Sequence, residues 1–567
     1  MTAARIAYFS MEIGLMTEMP TYSGGLGVLS GDTLRAAADL GAPMVGVTLL
    51  YRQGFFRQHI GPDGTQSETV PVWDPEAFLE PLETRVTLVL EGRPVAIRPW
   101  LFRVRGAWGA EVPIYMLDTD LPENDAEDRI LTGQLYGGDQ RYRLRQEALL
   151  GLGGTAVLRS LGYTGIDTYH MNEGHSALLT LALLAERRGG VLPTRADESD
   201  IEAVRRSCVF TTHTPVPAGH DRFSLELVAR VLGEDFAETI RALPCSEGEV
   251  LNMTFLGLFF SRHVNGVARR HAEVAQDLYP GYPVHPITNG VHAANWVAEP
   301  FARLFDRRIP GWRVDNYYLR QALNLSVEEV LDAHFQAKRE LLAEVERRTG
   351  ARLDPRAMTI GFARRAATYK RADFVFTNVD SLRTISRQVG RLQFVYAGKA
   401  HPHDEPAKDL IKRVFAARES LREDIPVVYL EEHDMRLGKL LCSGVDLWLN
   451  NPLKPLEASG TSGMKAALNG VPSLSVLDGW WPEGWIEGVT GWSIGDGEQS
   501  EDPRIEVGSL YNKLSYVIVP LYYGAPSNYG RVMRSTIAVN GSYFTAQRML
   551  QQYMSTAYAL PLTEAGG

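Results

Sequence analysis

The chain has 567 residues, of which 45% are hydrophobic and 22% charged, proportions typical of a globular enzyme with two or more domains. Its formal net charge of -10 argues against a general affinity for nucleic acid or anionic membranes, so any anion site has to be local. Cys208, Cys245 and Cys442 form no CxxC pair and give no sign of a disulfide framework or a thiolate zinc site. No apolar run reaches the ~18 residues of a membrane span, and we expect an unexported, cytoplasmic protein.

Short apolar runs separated by longer amphipathic segments predict an α/β protein with parallel sheets. The runs lie at 44–50, 208–212, 358–362, 392–397, 426–430, 446–449 and 472–477. The later runs are each separated by enough chain for a helix, which indicates a second doubly wound sheet. Alternating stretches in 85–105 flank Glu91-Gly92-Arg93 and predict an antiparallel hairpin, expected to be peripheral.

A domain boundary is predicted between about 295 and 325, where irregular sequence with Trp and Pro precedes a helix. Ser326 and Glu329 form a capping box at the start of this helix, and Gly350 closes it. Beyond 505 the sequence becomes helical and apolar, as expected of helices that return to the first domain. The predicted domains are 1–300, 301–505 and 506–567.

Glycines and other small residues stand before two predicted helices. Residues 23–27 (SGGLG) lie in the first domain, and residues 457–465 (EASGTSGMK) lie in the second. Backbone N–H groups in such loops can point at an anion, and a following lysine can pair with it or form an imine. A tight packing turn is the alternative in each case, and the absence of a GxGxxG frame weakens a dinucleotide interpretation.

Four cations follow the strand predicted at 358–362, within the segment ARRAATYKR. Ligands of open α/β sheets bind outside the carboxyl ends of the strands. Arg365 and Lys370 can therefore hold one dianion from two sides, because arginine offers a donor fork and lysine a compact charge. A solvated basic face is the alternative.

Histidines and one Asn-Gly pair are further candidates. His170, Glu173 and His175 in HMNEGH suggest a metal, but the HExxH spacing is absent, so we expect no metal and favour histidines that pack or contact substrate. Asn289 precedes Gly290 in a predicted turn, and its side chain could bind a hydroxyl.

In this order, the segments resemble the glycogen and maltodextrin phosphorylase family, and in particular its shorter bacterial and archaeal branch. The likeness runs through YFSMEIGL, YSGGLGVLSGD, HMNEGHSALL, ITNGVH, ARRAATYKRAD, YAGKAHP and EASGTSGMKAALNG, to about residue 490. The resemblance implies the GT-B architecture, with two doubly wound Rossmann-like domains and the active site in the cleft between them. It also implies pyridoxal 5'-phosphate as cofactor.

The resemblance assigns roles to residues at matching positions. Lys465 would form the Schiff base with the cofactor, and the catalytic set would be Lys465, Arg365, Lys370 and His175. The remaining cofactor contacts would be Arg364, Gly24, Gly460, Thr461 and Ser462. Substrate phosphate would be held by Arg365, Lys370 and Gly25. The terminal glucose would be lined by His175, Asn289, Tyr369, Glu457, Ala458, Ser459 and Gly460.

The implied reaction is reversible, retaining phosphorolysis of terminal α-1,4-linked glucose from glycogen, starch or maltodextrin to glucose 1-phosphate. In this family the imine is structural, and the phosphate group does the acid–base work. The chain is shorter than full-length relatives, so we do not expect their allosteric control, and a homo-oligomer stays open. His433 and Glu432 stand where many relatives have Tyr and Asn near the cofactor ring.

Two other functions compete with this interpretation. Nucleotide-sugar-dependent glucan synthases of the same architecture carry an E-x7-E segment, whereas here Glu457 is followed eight positions later by Lys465. That exchange favours a cofactor lysine over a nucleotide. A non-catalytic glucan-binding protein is the other alternative, and the presence of cofactor, phosphate and sugar residues together favours an enzyme.

Overall fold

The computed structural model describes residues 4–216, 219–495 and 503–559, which form two compact units. Unit one contains the described residues of Met1–Phe55, Val70–Ile287 and Met549–Gly567. Unit two contains the described residues of Phe56–Thr69 and Thr288–Arg548. These bounds differ from the predicted domains, because 288–300 and the described part of 506–548 belong to unit two.

Most of the parallel strands are short and fully buried, as expected of parallel sheets covered on both faces. The strands are β1 (Ile6–Ser10), β2 (Met44–Leu49), β3 (Arg57–Ile60), β4 (Gln66–Thr69), β5 (Glu80–Pro81), β6 (Val86–Leu90), β7 (Arg93–Arg105), β8 (Glu111–Asp118), β9 (Thr168–Asn172), β10 (Cys208–Thr211), β11 (Arg222–Ser224), β12 (Val250–Asn252), β13 (His263–Gly266), β14 (Val284–Pro286), β15 (Met358–Ala363), β16 (Leu392–Ala397), β17 (Val427–Leu430), β18 (Leu447–Asn450), β19 (Ser473–Val476) and β20 (Gly491–Ile494).

Helices connect consecutive parallel strands in both units. The helices are α1 (Gly25–Leu40), α2 (Ala126–Arg129), α3 (Gln140–Ala148), α4 (Gly154–Ser160), α5 (Leu179–Arg187), α6 (Glu198–Ser207), α7 (Leu225–Leu232), α8 (Glu234–Ala242), α9 (Met253–Phe259), α10 (Arg269–Leu278), α11 (Ala293–Trp296), α12 (Glu299–Arg308), α13 (Val327–Thr349), α14 (Val379–Gln388), α15 (Glu405–Leu421), α16 (Met435–Gly444), α17 (Ser462–Leu468), α18 (Trp481–Gly484), α19 (Pro503–Lys513), α20 (Val519–Gly524), α21 (Pro526–Thr536) and α22 (Ala546–Gln552). In the part of the chain that is described, no helix has the length and apolar character needed to cross a membrane.

The main sheet of unit one has the strand order β14-β13-β10-β9-β1-β2-β8-β7-β5. From β14 to β8 all neighbours are parallel. The chain starts in the middle at β1, proceeds outward to β8, and then returns to β9 on the other side of β1. The order therefore reverses between β1 and β9, which makes their carboxyl ends the topological switch point of this sheet.

The main sheet of unit two is parallel throughout, with the order β17-β16-β15-β18-β19-β20. Its order reverses between β15 and β18, so their carboxyl ends are the switch point of this sheet. The α/β class with two doubly wound, Rossmann-like sheets is thereby confirmed. Open sheets of this kind bind ligands at the switch point, which directs attention to the loops that follow these two strands.

Two local predictions are confirmed in detail. Helix α13 begins after a capping box formed by Ser326 and Glu329 and ends at Gly350, whose φ is 72°. Strands β6 and β7 form the antiparallel hairpin, with Leu90 opposite Arg93 across the turn. The hairpin lies toward one end of the main sheet of unit one, which it extends because β7 also pairs with β8.

The region predicted to separate the domains is a packed part of unit two. Trp296 and Trp312 are almost fully buried. The amide of Asn469 donates to the carbonyl of Trp296 at 3.0 Å and accepts from the N–H of Ala298 at 2.7 Å. The irregular sequence was taken as the place of a domain boundary, but burial of its large side chains makes it part of the core of unit two.

The C-terminal helices are divided between the units. The described residues up to 548 belong to unit two, where Tyr529 donates its hydroxyl to the carbonyl of Asp446 at 2.6 Å. From Met549 onward the chain belongs to unit one, where the hydroxyl of Tyr558 lies 2.6 Å from Nδ1 of His170. Of the described C-terminal residues, only this last segment is assigned to unit one.

A buried charge cluster fixes α13 to the second sheet. The carboxylate of Asp446 lies 2.5 Å from Nζ of Lys338 and 2.9 Å from Nε2 of His334, and it accepts the N–H of Thr359 at 2.7 Å. Burial would raise the pKa of Asp446, but Lys338 and His334 lower it below its ordinary value. The carboxylate is therefore charged and compensated by its neighbours.

Replacing Asp446 with Asn is expected to lower the free energy of unfolding by about 3–5 kcal/mol, because Lys338 keeps a buried charge without its partner. The midpoint of urea denaturation, followed by circular dichroism, measures this loss. Glu346→Gln is the control, since it breaks an exposed pair with Arg352 and should change the midpoint little. Equal midpoints for the two variants would contradict the role given to Asp446.

Candidate active site

Two consecutive arginines follow β15 at the switch point of unit two, and their exposures differ. Arg364 is buried and forms an ion pair with the carboxylate of Glu457. Arg365 is exposed. Neighbouring residues of an extended chain point to opposite sides, so one arginine is held by a protein carboxylate while the other faces outward.

The turn that carries Lys370 is locked to the loop after β18. Arg371 has a φ of 48°, and its guanidinium donates to the carbonyls of Asn451 at 2.8 Å and Pro452 at 2.9 Å. The amide of Asn451 in return donates to the carbonyl of Arg371 at 2.7 Å, and the N–H of Leu453 donates to that of Tyr369 at 2.7 Å. These contacts fix the backbone on both sides of Lys370.

The ammonium of Lys370 lies in a strongly positive environment. Its pKa is lowered from 10.5 to about 7, first by burial and then by Arg364, with a smaller effect of Arg365. The carboxylate of Glu457 acts in the other direction and raises the pKa of Lys370, but the same carboxylate also pairs with Arg364. A cation group with one carboxylate among three positive side chains favours binding of a further anion.

Glu457 begins the small-residue loop and is tied into it from two directions. Its N–H donates to the carboxylate of Asp478 at 2.9 Å, and its own carboxylate pairs with Arg364. Burial would raise the pKa of Glu457, but Arg364 and Lys370 lower it below its ordinary value. The carboxylate is thus an acceptor that stays charged, and it lacks the raised pKa of a general acid.

Lys465 lies on α17 and is partly buried. Its Nζ is 3.7 Å from the ring centroid of Trp296, a cation–π contact. His433 is close enough that Lys465 contributes, after burial, to lowering the pKa of His433 to about 3. Lys465 therefore lies between an aromatic ring and a neutral imidazole. Glu432, the neighbour of His433, pairs with Lys399 at 2.7 Å.

The other predicted residues of this loop differ in their burial, backbone conformation and hydrogen bonding. Ser459 is buried, and Gly460 has a φ of 80°, a conformation that favours glycine. The hydroxyl of Ser462 accepts from the indole N–H of Trp448 at 3.2 Å, so this hydroxyl already has a protein partner. Ala458 and Thr461 are partly buried beside them.

Several buried polar atoms of unit two have no protein partner in the part of the chain that is described. Among them are Nη1 of Arg364, Oγ of Ser459 and Oδ1 of Asn289. Asn289 is held in place because its carbonyl accepts from Arg548 at 3.0 Å. Arg364 and Ser459 follow the switch-point strands β15 and β18, whereas Asn289 follows β14. Because buried polar groups are usually hydrogen-bonded, such unpaired atoms indicate a ligand site. A guanidinium atom, a hydroxyl and an amide oxygen suit a phosphate group and sugar hydroxyls.

In unit one, the carboxylate of a buried glutamate accepts hydrogen bonds from the glycine-rich loop. Glu12 follows β1, and its carboxylate accepts the N–H of Ser23 at 2.5 Å and that of Gly24 at 3.2 Å. The next residue, Gly25, is exposed at the start of α1, where the first N–H groups lack partners within the helix. Gly25 can thus offer an N–H to an anion, whereas that of Gly24 is already bonded.

His175 follows β9 at the switch point of unit one. It is buried, its Nε2 lies 3.4 Å from the carboxylate of Asp221, and its Nδ1 has no partner among the described residues. Burial and Arg143 lower the pKa of His175 to about 4, against the opposing effect of Asp221. The imidazole is therefore neutral near pH 7 and offers one free ring nitrogen to a ligand.

The predicted residues thus gather at the switch points of the two units, and several of their partners were missed. In unit two these are Trp296 and Asn451, and in unit one Glu12, Tyr136 and Asp221. Glu12 and Asn451 carried a sequence signal, because each comes at or just after the carboxyl end of a strand, β1 and β18. The described residues contain no cluster of metal-ligating side chains.

Comparison with known proteins agrees with this geometry. A family model described as "Carbohydrate phosphorylase" matches residues 220–481. The chain is 37% identical to the maltodextrin phosphorylase of Thermococcus litoralis, over 99% of the chain and 71% of that protein. It is 38% identical to the glycogen phosphorylase of Mycobacterium tuberculosis, over 98% of the chain and 70% of that protein. It is 33% identical to the glycogen phosphorylase of Aquifex aeolicus, over 99% of the chain and 87% of that protein. The chain therefore belongs to the carbohydrate phosphorylase family.

Proposed function

We propose that this protein is an α-glucan phosphorylase, which transfers the terminal α-1,4-linked glucose of glycogen, starch or maltodextrin to inorganic phosphate in a reversible, retaining reaction. The observation that carries the proposal is the cation group of Arg364, Arg365 and Lys370, which shares one carboxylate, Glu457, at the switch point of unit two. Such a group requires further negative charge, and the two phosphates of this reaction supply it.

Pyridoxal 5'-phosphate is the proposed cofactor, and the residues present fit it. Nη1 of Arg364 is a buried donor without a protein partner, which suits the cofactor phosphate. Gly460 and Thr461 offer the small side chains that allow a close approach, and Lys465 would carry the cofactor on its amino group. Ser462 would contact it through its backbone, because its hydroxyl is bonded to Trp448. When bound, the cofactor supplies a phosphate group that can exchange a proton near neutral pH.

Substrate phosphate would be held by the exposed guanidinium of Arg365, the ammonium of Lys370 and the N–H of Gly25. These groups leave the reacting oxygens of the phosphate free to give a proton to the departing glycosidic oxygen. The same phosphate can then attack the glucosyl carbon from the face that the leaving group occupied, which gives retention. No carboxylate nucleophile is needed, unlike in the two-carboxylate hydrolases.

The terminal glucose would be bound by acceptors and donors that have no protein partner among the described residues. Nδ1 of His175, Oδ1 of Asn289 and Oγ of Ser459 meet this condition. Glu457 accepts from Arg364 through one oxygen and leaves the other for a sugar hydroxyl. Tyr369 and the backbone of Ala458 and Gly460 would complete the sugar site. Gly24 would contact the cofactor without donating its N–H. It has room to do so, because no atom lies within 4 Å of the position that a Cβ would take at this residue.

Unit one would thus contribute glucan and phosphate contacts, and unit two the cofactor and most of the cations. The buried, free thiols of Cys208, Cys245 and Cys442 fit a reducing cytoplasm, which we propose as the location. Glucose 1-phosphate would be the product, and we propose no nucleic-acid or membrane partner.

Lys465 is expected to carry the cofactor. Borohydride should fix pyridoxal phosphate to a single peptide that contains Lys465, while Lys465→Ala should contain little cofactor by its visible and near-ultraviolet spectrum and show almost no phosphorolysis. Lys454→Ala, a change in the same loop, is the control and should keep both. The reduced protein should retain substantial activity, because the ring does not move the proton. Label on another lysine, or complete inactivation on reduction, would contradict this assignment.

Arg365→Ala is expected to lower kcat/KM for phosphate about ten- to hundredfold, since a charge-assisted hydrogen bond to the reacting group is lost. Glucan binding, measured by isothermal titration calorimetry, should change little. Arg352→Ala is the matched control, because Arg352 is an exposed arginine of the same unit that pairs with Glu346. Equal losses in phosphate kinetics and glucan binding would argue against the phosphate site.

The lowered pKa of Lys370 predicts that anion binding depends on pH. Without an anion its pKa is about 7, so its proton is lost as the pH rises above this value, whereas a bound dianion keeps the ammonium protonated. Competitive inhibition by sulfate, a dianion throughout, should therefore weaken by up to about tenfold per pH unit above pH 7. Lys370→Arg keeps its charge and should give a flatter profile. A flat profile in the unmodified protein would refute the low pKa.

A further inference from the structure

A buried side chain, that of Glu12, holds the start of the glycine-rich loop of unit one. Both oxygens of Glu12 accept from Ser23, whose N–H lies 2.5 Å away and whose hydroxyl lies 3.1 Å from Oε1. A Cβ on Gly27 would lie 2.7 Å from Oε2 of Glu12, so the carboxylate fills the concave side of the loop. The position of Glu12 therefore determines where the N–H of Gly25 points.

Glu12 is itself oriented by Tyr136. The hydroxyl of Tyr136 donates to Oε1 of Glu12 at 3.0 Å. Tyr136 has a φ of 57°, which places it at a tight turn between β8 and α3. Burial, followed by the charge of Glu12, raises the pKa of Tyr136 well above its ordinary value. The phenol therefore remains a donor at every pH at which the protein would work.

The ring of Tyr136 is fixed by groups that also reach His175. The guanidinium of Arg143 lies 4.5 Å from the centroid of the Tyr136 ring, and the ring of His175 lies 5.9 Å from it. Arg143 donates to Asp221 at 3.1 Å, and Asp221 faces Nε2 of His175 at 3.4 Å. One continuous set of contacts thus joins the glycine loop to His175.

A second carboxylate anchors Arg143 in this network. Glu147 is fully buried and accepts from Nε of Arg143 at 3.0 Å. Burial, followed by Asp221, raises the pKa of Glu147 well above its ordinary value. Burial would also raise the pKa of Asp221, but Arg143 outweighs it and lowers this pKa below its ordinary value. Asp221 therefore holds the negative charge that faces His175, and Arg143 stays between the two carboxyl groups.

We propose that Tyr136 is a positioning residue for phosphate. Through Glu12 it holds the glycine loop so that the N–H of Gly25 points to the phosphate. Through Arg143 and Asp221 it fixes the position of this loop relative to His175. The proposal rests on the proposed function, because it assigns the loop to phosphate. Tyr136 touches neither substrate, and its effect passes through Glu12.

The test compares Tyr136→Phe with Tyr163→Phe. The first variant keeps the ring and loses only the donor to Glu12. The second removes a hydroxyl that lies 2.9 Å from that of Tyr115 in the same unit, away from the loop. Hydrogen exchange of the peptide covering residues 20–30 should become faster in Tyr136→Phe only. The KM for phosphate should rise about tenfold in that variant, whereas the KM for glucan and the cofactor spectrum should not change.

A double-mutant cycle separates positioning from general loosening. If Tyr136 acts through Glu12, Tyr136→Phe should raise the KM for phosphate much less in a Glu12→Gln background than in the unmodified protein. Additive effects would overturn the proposal, as would unchanged exchange at residues 20–30 or an equal rise in the KM for glucan. If the unmodified protein shows no phosphorolysis, the proposed function fails. Even then, faster hydrogen exchange in Tyr136→Phe, and not in Tyr163→Phe, would support the inference that Tyr136 positions the loop.

Discussion

The ion pair between Arg364 and Glu457 joins the two loops on which the candidate site of unit two depends. Arg364 follows β15, and Glu457 lies in the loop after β18, so the pair bridges the two strands between which the sheet order reverses. With Arg371 and Asn451 it fixes the segment that carries Lys370. Because this single carboxylate cannot balance three cations, the site is prepared for an anion before one arrives.

Both units use the same strand order, yet their switch points carry different chemistry. The switch point of unit one has a glycine loop, a neutral histidine and several carboxylates, whereas that of unit two has cations and a lysine beside an aromatic ring. A doubly wound sheet determines where ligands bind, but not which ligands. The division of residues suits a reaction in which a neutral sugar and two phosphates meet.

The sequence was sufficient where the signal is local. Buried strands such as β15, the capping box at Ser326 and the turn at Gly92 each depend on neighbouring residues, and all were predicted. The segment Val70–Ile287 of unit one ends before the predicted boundary near 300, because burial of Trp296 in unit two depends on residues far away in the chain. Motifs singled out Arg364, Lys370 and Lys465 as candidate site residues. Tyr136 lies 124 positions from Glu12, so no spacing rule connects these two residues.

Glu12 and Glu457 solve the same physical problem in the two units. Each is a buried carboxylate that accepts from donors of a segment proposed to bind an anion, the loop N–H groups of Ser23 and Gly24 in one case and Arg364 in the other. In each case another donor of the same segment, the N–H of Gly25 or Nη1 of Arg364, is left for a ligand. The carboxylates therefore do not have to leave when phosphate binds, and the donors are ordered in advance. Ordering donors before the ligand arrives reduces the entropy lost on binding, which is why acidic residues contribute to a site for anions.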